Sequence, residues 1–184
     1  MRLGVLILLA CGGCAAGTVP SSTLPPPSSD LTPNYAPSLR SLRHWPQPRV
    51  EVRLDNMTKA QAQKVEYAMH LWNEALLGKV TLIRSSSPEA PIVVRLASPT
   101  VLDGSQGKTS VVADAGTQGL QSALTLLNSD LEDDWLTLIA THELGHALGI
   151  SGHSPSTDDL MYEAPGPQLA ITTRDRNTLL LAYR

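Results

Sequence analysis

The segment His142-Glu143-Leu144-Gly145-His146 gathers three side chains with chemical capacity. Residues four apart share one face of a helix, so His142 and His146 present two imidazole nitrogens to a single point. That is the spacing of a helix-borne zinc pair. Glu143 is adjacent to the first imidazole but offset around the helix, which directs its carboxylate toward a water beside the ion. A zinc ion acidifies such a water, and a carboxylate within reach takes its proton as a polarised carbonyl is attacked. The competing explanation makes all three ordinary half-buried side chains. Placing two imidazoles and a glutamate in the middle of an apolar helix costs several kcal/mol unless something pairs with them, and a metal offers that pairing.

The helix that positions them has recognisable ends. Ser129 with Glu132 three residues on is the pattern of a capping box, and Asp130, Asp133 and Asp134 add charge where the helix dipole favours it. Trp135, Leu138 and Ile139 on one side, with Leu136, Ala140 and Leu144 on another, predict a central and mostly buried helix ending near Gly149. Around it, residues 50–54 alternate as a strand, and Thr58 caps a helix running to about Leu77. That helix carries Val65, Ala68, Met69, Trp72, Ala75 and Leu76 on a broad apolar face, and Gly78 stops it. Residues 80–83, 92–96 and 111–113 are further strands. Residues 121–127 read as strand or helix, and an edge strand is favoured because Gly116 and Gly119 precede them and Asn128-Ser129 ends them. Thr172 and Asp175 open a last helix that buries Leu179, Leu180 and Tyr183. This order predicts an α+β domain with a mixed twisted sheet, a helix that carries the site and a C-terminal helix.

After the histidine pair come Ala147-Leu148-Gly149-Ile150-Ser151-Gly152-His153 and then Asp158-Asp159-Leu160-Met161-Tyr162. Here the chain resembles the metzincin zinc metallopeptidases, most closely their matrixin branch. The resemblance is specific over residues 135–183 and only generic before them. It implies that Gly149 breaks the helix, that His153 joins His142 and His146 as third zinc ligand, and that Met161 sits in a tight turn beneath the metal. The eight-residue step from His153 to Met161 and the run Leu160-Met161-Tyr162 agree with the matrixin pattern. One departure stands out. The family places the third histidine three residues after the glycine, where this chain has Gly152, so His153 comes one residue late. Glycine takes backbone angles closed to other residues, and a bulge at Gly152 would return the imidazole to the site. In the rival arrangement His153 points elsewhere and two protein ligands remain. His44, in the N-terminal stretch, and His70, on the first helix, are not placed to substitute.

Three imidazoles leave one coordination position open, the mark of a catalytic zinc. Met161 reads as a buried gap-filler. Tyr162 reads as structural, because the metzincin branches with a tyrosine near zinc carry it one position later. Cys11 and Cys14 do not match the cysteine-based inhibitory prosegment of animal matrixins, and the histidines of a second, structural zinc are missing. Calcium stays open as a second, unsupported cofactor: Asp103, Asp114 and Asp130 are scattered acidic loop candidates that form no recognisable oxygen-ligand loop and read by default as solvated.

The balance of 14 basic against 17 acidic residues, net −3, gives no basic stripe and sets nucleic-acid binding aside. Arg2 followed by an apolar run over residues 3–9 reads as an export signal, too short for a membrane-spanning helix of roughly 20 residues. Leu8-Leu9-Ala10-Cys11 resembles a bacterial lipobox. Residues 1–10 are thus expected to be a lipoprotein signal, with Cys11 the lipidated residue and Cys14 a weaker alternative. Residues 11–48, rich in Pro and Ser around Pro25-Pro26-Pro27, read as a tether, and residues 49–184 as the catalytic domain. With Gly12 rather than aspartate after Cys11, the outer membrane or cell surface is the expected location, a periplasmic or secreted form the alternative.

Together these features predict a monomeric zinc-dependent endopeptidase acting on extracytoplasmic proteins or peptides, with Glu143 as general base. By analogy, substrate lies along residues 121–127 and residues 163–169 shape specificity. The alternative is a membrane-anchored zinc-containing binding or structural protein, against which the intact Glu143 speaks. Replacing Cys11 with Ser should abolish incorporation of radiolabelled fatty acid into exported protein; equal labelling of the variant would rule out this attachment site.

Overall fold

Alternation in the first long strand decides which face of the sheet is covered. In β2 (Arg49–Asp55) Val50, Val52 and Leu54 are buried while the residues between them are not, the period-two pattern of a strand with one packed face. The computed structural model describes residues 24–167 and 170–184; the expected signal segment, Cys11 and Cys14 lie outside the described residues. β1 is the two-residue strand Ser41–Leu42. Five strands form the main sheet in the order β3 (Thr81–Ser85), β2, β4 (Ile92–Ala97), β6 (Leu120–Asn128), β5 (Gly107–Ala113). The first four run parallel and β5 runs antiparallel to β6. Two helices, α1 (Lys59–Ala75) and α2 (Asp133–Leu148), pack on each other, α1 against β3 and α2 against β5 and β6. Helix α3 (Thr173–Ala182) follows. This is the expected α+β architecture.

Thr58 starts α1 by accepting from the Gln61 amide, and the Gln61 side chain accepts in return from the Thr58 amide. Val65, Ala68, Met69, Trp72 and Ala75 make its buried face. The helix ends at Ala75, slightly short of the expected Leu77, because Leu77 (φ 54°) and Gly78 (φ 77°) both turn in the left-handed region. Trp72 Nε1 donates to the Thr141 carbonyl at 2.7 Å, fastening α1 to the histidine-bearing helix at a point where both residues are fully buried. Every residue of α2 from Leu136 to Leu148 except His146 is buried, as its multi-sided apolar pattern requires.

Three expectations need correction. The capping box at Ser129 does not form. Ser129 Oγ instead bonds Asp130, and α2 begins at Asp133 with Glu132 in the cap position and no side-chain cap. The acidic first turn of Asp133 and Asp134 meets the positive end of the helix dipole instead. Nor do residues 121–127 form the edge. β6 lies between β4 and β5, pairing with both, and it buries Leu120, Ala123, Thr125 and Leu127 beneath the helices. The edge is β5, which is longer than residues 111–113. Glycines flanking a strand mark its turns and carry no information on how many neighbours it has.

The third correction concerns the tether. From residue 24 onward the stretch packs on the domain. Leu31, Tyr35 and Trp45 are 8%, 2% and 3% exposed, so they belong to the core. Trp45 Nε1 donates to the Ala147 carbonyl at 3.0 Å, Asn177 Nδ2 to the Pro33 carbonyl at 3.2 Å, and Arg176 Nη1 to the Pro25 carbonyl. β1 pairs antiparallel with β7 (Ile150–Ser151), just after α2. Proline and serine enrichment reports an absence of regular structure, and three well-spaced apolar anchors are enough to bind an irregular strap. Trp45→Ala should therefore lower stability by about 3–5 kcal/mol, measured by chemical denaturation; an unchanged midpoint would restore the tether reading.

Candidate metal centre

Helix α2 carries His142, Glu143 and His146, and the chain leaving it carries His153. Gly149 ends the helix with φ 129°. A β-carbon there would stand 2.0 Å from the Arg43 carbonyl oxygen, so the position excludes every side chain. The next residues, Ile150 and Ser151, pair with Leu42 and Ser41. Gly152 then takes φ 116°, the left-handed turn that the extra residue requires, and the chain swings His153 back toward the helix.

The result is a cluster of three imidazoles whose ligand atoms all lie within 4.8 Å of one another. His142 Nε2 and His146 Nε2 are 3.2 Å apart. The His153 ring stacks on His142 at a centroid distance of 5.4 Å and meets His146 edge-on at 5.0 Å. His44 and His70 are elsewhere. His44 bridges through its backbone to Gly119, and His70 lies on α1 beside Glu74.

The chemistry of this donor set can be tested on its hydrogen bonds. His142 Nδ1 lies 2.8 Å from the Leu160 carbonyl oxygen, and His146 Nδ1 lies 2.8 Å from that of Ile150. A carbonyl only accepts, so each Nδ1 carries the proton and each Nε2 of the neutral ring presents a lone pair. Burial, with repulsion from His146 second, pushes His142 down to about 3. Burial likewise pushes His146 down to about 4, and it lowers His153 against the attraction of Glu163. At neutral pH two unprotonated Nε2 atoms thus face each other at 3.2 Å with no proton between them. A cation that takes nitrogen ligands fits this arrangement, and zinc is such a cation.

Glu143 is buried beside the imidazoles. Its Oε2 accepts from Thr109 Oγ1 at 2.7 Å, and Thr109 Oγ1 is itself 2.9 Å from Thr125 Oγ1. Burial raises the Glu143 carboxyl to about 7, and the Thr109 hydrogen bond works in the other direction. β5 passes so close that a β-carbon on Gly107 would lie 2.6 Å from Glu143 Oε1 and 2.8 Å from Ile139 Cγ2. Gly107 and Thr109 are site residues that sequence reading misses. A glycine at the start of an edge strand is a faint signal of close backbone approach, and a strand threonine is no signal at all.

Met161 is fully buried and its thioether fills the space opposite Gly145, where a β-carbon would sit 2.4 Å from Sδ. The glycine inside the histidine motif thus makes room for the methionine under the site. Tyr162 bridges through its backbone to Ser154 in the returning loop, a structural place. The acidic candidates for calcium are dispersed: Asp114 Oδ1 accepts from the Gly116 and Thr117 amides in a surface turn. Among the described residues no acidic group of three gathers as the histidines do.

A cleft of about 600 Å³ opens over this cluster, between β5 and the strap, with Glu143, His146, His153 and Thr109 in its wall. If His153 completes the donor set, His153→Ala should lower zinc affinity and peptide hydrolysis together, read by competition with a chromogenic chelator. Gly149→Ala should act nearly as strongly by driving the loop off Arg43. Wild-type zinc affinity in the His153 variant would end the three-histidine assignment.

Comparison with known proteins agrees with this geometry. The family model described as Matrixin matches residues 45–183. Two solved structures of myroilysin share the fold at 15% sequence identity. One has a TM-score of 0.53 over 79% of this chain and 97% of that one, and the other a TM-score of 0.52 over 76% and 85%. No curated protein sequence matches the chain. With the matched region running from Trp45 to Tyr183 and the histidine helix, returning loop and methionine turn all within it, the chain belongs to the matrixin family of zinc metalloendopeptidases.

Proposed function

We propose that this matrixin hydrolyses peptide bonds of extracytoplasmic proteins or peptides, with His142, His146 and His153 holding one zinc ion and Glu143 as general base. The observation that carries the reading is the buried Glu143 carboxylate set beside three convergent imidazoles in an open cleft. When bound, zinc supplies a Lewis acid that acidifies water and polarises a peptide carbonyl.

The protein's own groups supply the rest. Thr109 holds Oε2 of Glu143 at 2.7 Å, which leaves Oε1 to receive the proton of the attacking water. The same carboxyl then delivers a proton to the nitrogen of the leaving amine, so one group serves both halves of the reaction. The terminal strand β5 borders the cleft, and an extended substrate adding to that edge would pass over Gly107 and Thr109. This moves the substrate track from residues 121–127 to β5. Export and lipid attachment at Cys11 rest on the N-terminal sequence pattern, and they set the activity at the outer membrane or cell surface.

Glu143→Gln keeps the size and burial of the side chain but removes the base. It should bind zinc and unfold like wild type while hydrolysis falls by about 10²–10⁴-fold. Turnover above about a tenth of wild type would remove Glu143 from the role of base.

A further inference from the structure

The cleft over the histidines carries cationic residues on both of its sides, two of them on the strap. Arg40 and Arg43 line it from the strap, and Lys108 lines it from β5. The chain as a whole has 14 basic and 17 acidic residues, so three cations around one opening run against its average. The backbones of both arginines are held. The Arg40 amide donates to the Ser151 carbonyl at 3.1 Å and the Arg43 amide to the Gly149 carbonyl at 3.0 Å, bracketing the β1–β7 ladder. Both guanidinium stems therefore start from a ladder that also sets the path to His153. Among the described residues neither side chain forms an ion pair.

Two anions share the cleft wall. Glu143 is buried and engaged by Thr109, and Glu163 lies near enough to act on His153. Arginine presents a planar fork that matches a carboxylate in a bidentate pair, and its charge at the rim disfavours a cationic side chain. Resting on the metallopeptidase reading above, we infer that Arg40 and Arg43 form a carboxylate-binding subsite. The substrates are then peptides with an acidic side chain, or a free C-terminal carboxylate, at a set distance from the bond that is cut. One side of the cleft, β5, takes the peptide backbone, and the other, the strap, reads charge.

The test uses the full zinc-loaded chain and fluorogenic peptides of one sequence frame in which Glu, Gln or Lys is walked through each position. Every peptide is made with a C-terminal acid and with a C-terminal amide. At one position Glu should exceed Gln by about fivefold or more in kcat/KM, the weight of two partly exposed ion pairs. Lys should fall below Gln, and the gap should shrink as salt rises. A gap that follows the acid and amide forms instead identifies the C-terminus as the carboxylate. The Glu-to-Gln ratio should collapse in Arg40→Gln and Arg43→Gln, survive in part in Arg43→Lys, and stay unchanged in Arg49→Gln, remote on β2.

Binding of the same peptides to the Glu143→Gln protein, followed by fluorescence anisotropy, separates the two claims. Charge-dependent binding with no hydrolysis by the unmutated chain would sink the peptidase reading and leave the subsite standing. Hydrolysis that treats Glu and Gln alike at every position, and acid and amide alike, would overturn the subsite and leave the peptidase reading intact.

Discussion

Two neutral imidazoles whose Nε2 lone pairs face each other at 3.2 Å form a contact that does not hold itself together. It exists because each ring donates its Nδ1–H to a backbone carbonyl, Leu160 for His142 and Ile150 for His146. In a buried setting a lost hydrogen bond is not replaced by water, so these two carbonyls fix tautomer and ring orientation together. A cation of the kind matrixins bind relieves the repulsion between the lone pairs, and the protein's task is to keep them aimed until it arrives. Much of the fold outside the sheet serves that aim.

The Leu160 carbonyl belongs to the methionine turn, which is held from below. The buried Asp175 carboxylate accepts from the Leu160 amide at 3.0 Å, the Met161 amide at 3.3 Å, the Thr172 amide at 2.9 Å and the Tyr35 hydroxyl at 2.8 Å. One side chain thus caps α3, anchors the turn and binds the strap. Burial raises its pKa while the Thr172 and Tyr35 hydrogen bonds oppose that shift. The Ile150 carbonyl belongs to β7, which is held by pairing with Ser41 and Leu42. Each histidine on α2 is therefore oriented by a different loop, and both loops lean on the N-terminal strap. Gly149 and Gly145 make the close approaches possible, one against the Arg43 carbonyl and the other against the Met161 thioether.

The same strap borders the cleft, which links orientation of the three imidazoles to the shape of the opening above them. On the opposite side β5 lies close enough to Glu143 that only glycine fits at position 107. Thr109 and Thr125 extend a hydroxyl chain into the sheet. A carboxylate placed between a strand and a helix in this way has little freedom to rotate, which is the preorganisation that the proposed proton transfer requires.

The residues of the centre were legible because their chemistry is local. The i, i+4 histidines with an adjacent glutamate need only a helix, and the apolar residues around them demand a buried one. Thr58 and Thr172 announced their helices because a cap is a contact over three residues. The path to His153 was half legible. Gly152 supplies the positive φ that the extra residue needs, but the pairing of Ile150 and Ser151 with the strap is a contact across more than a hundred positions. Strand order, the true edge at β5, the approach of Gly107 and Thr109 to Glu143, and the packing of residues 24–48 depend on which distant surfaces meet. Sequence alone therefore determined that His142 and His146 share one helix face beside Glu143, and it determined the class of fold, since both follow from spacing along one helix and periodicity along short segments. Only the tertiary structure decided which carbonyls orient the histidines and which strand walls the cleft, because those are set by long-range packing that no local pattern encodes.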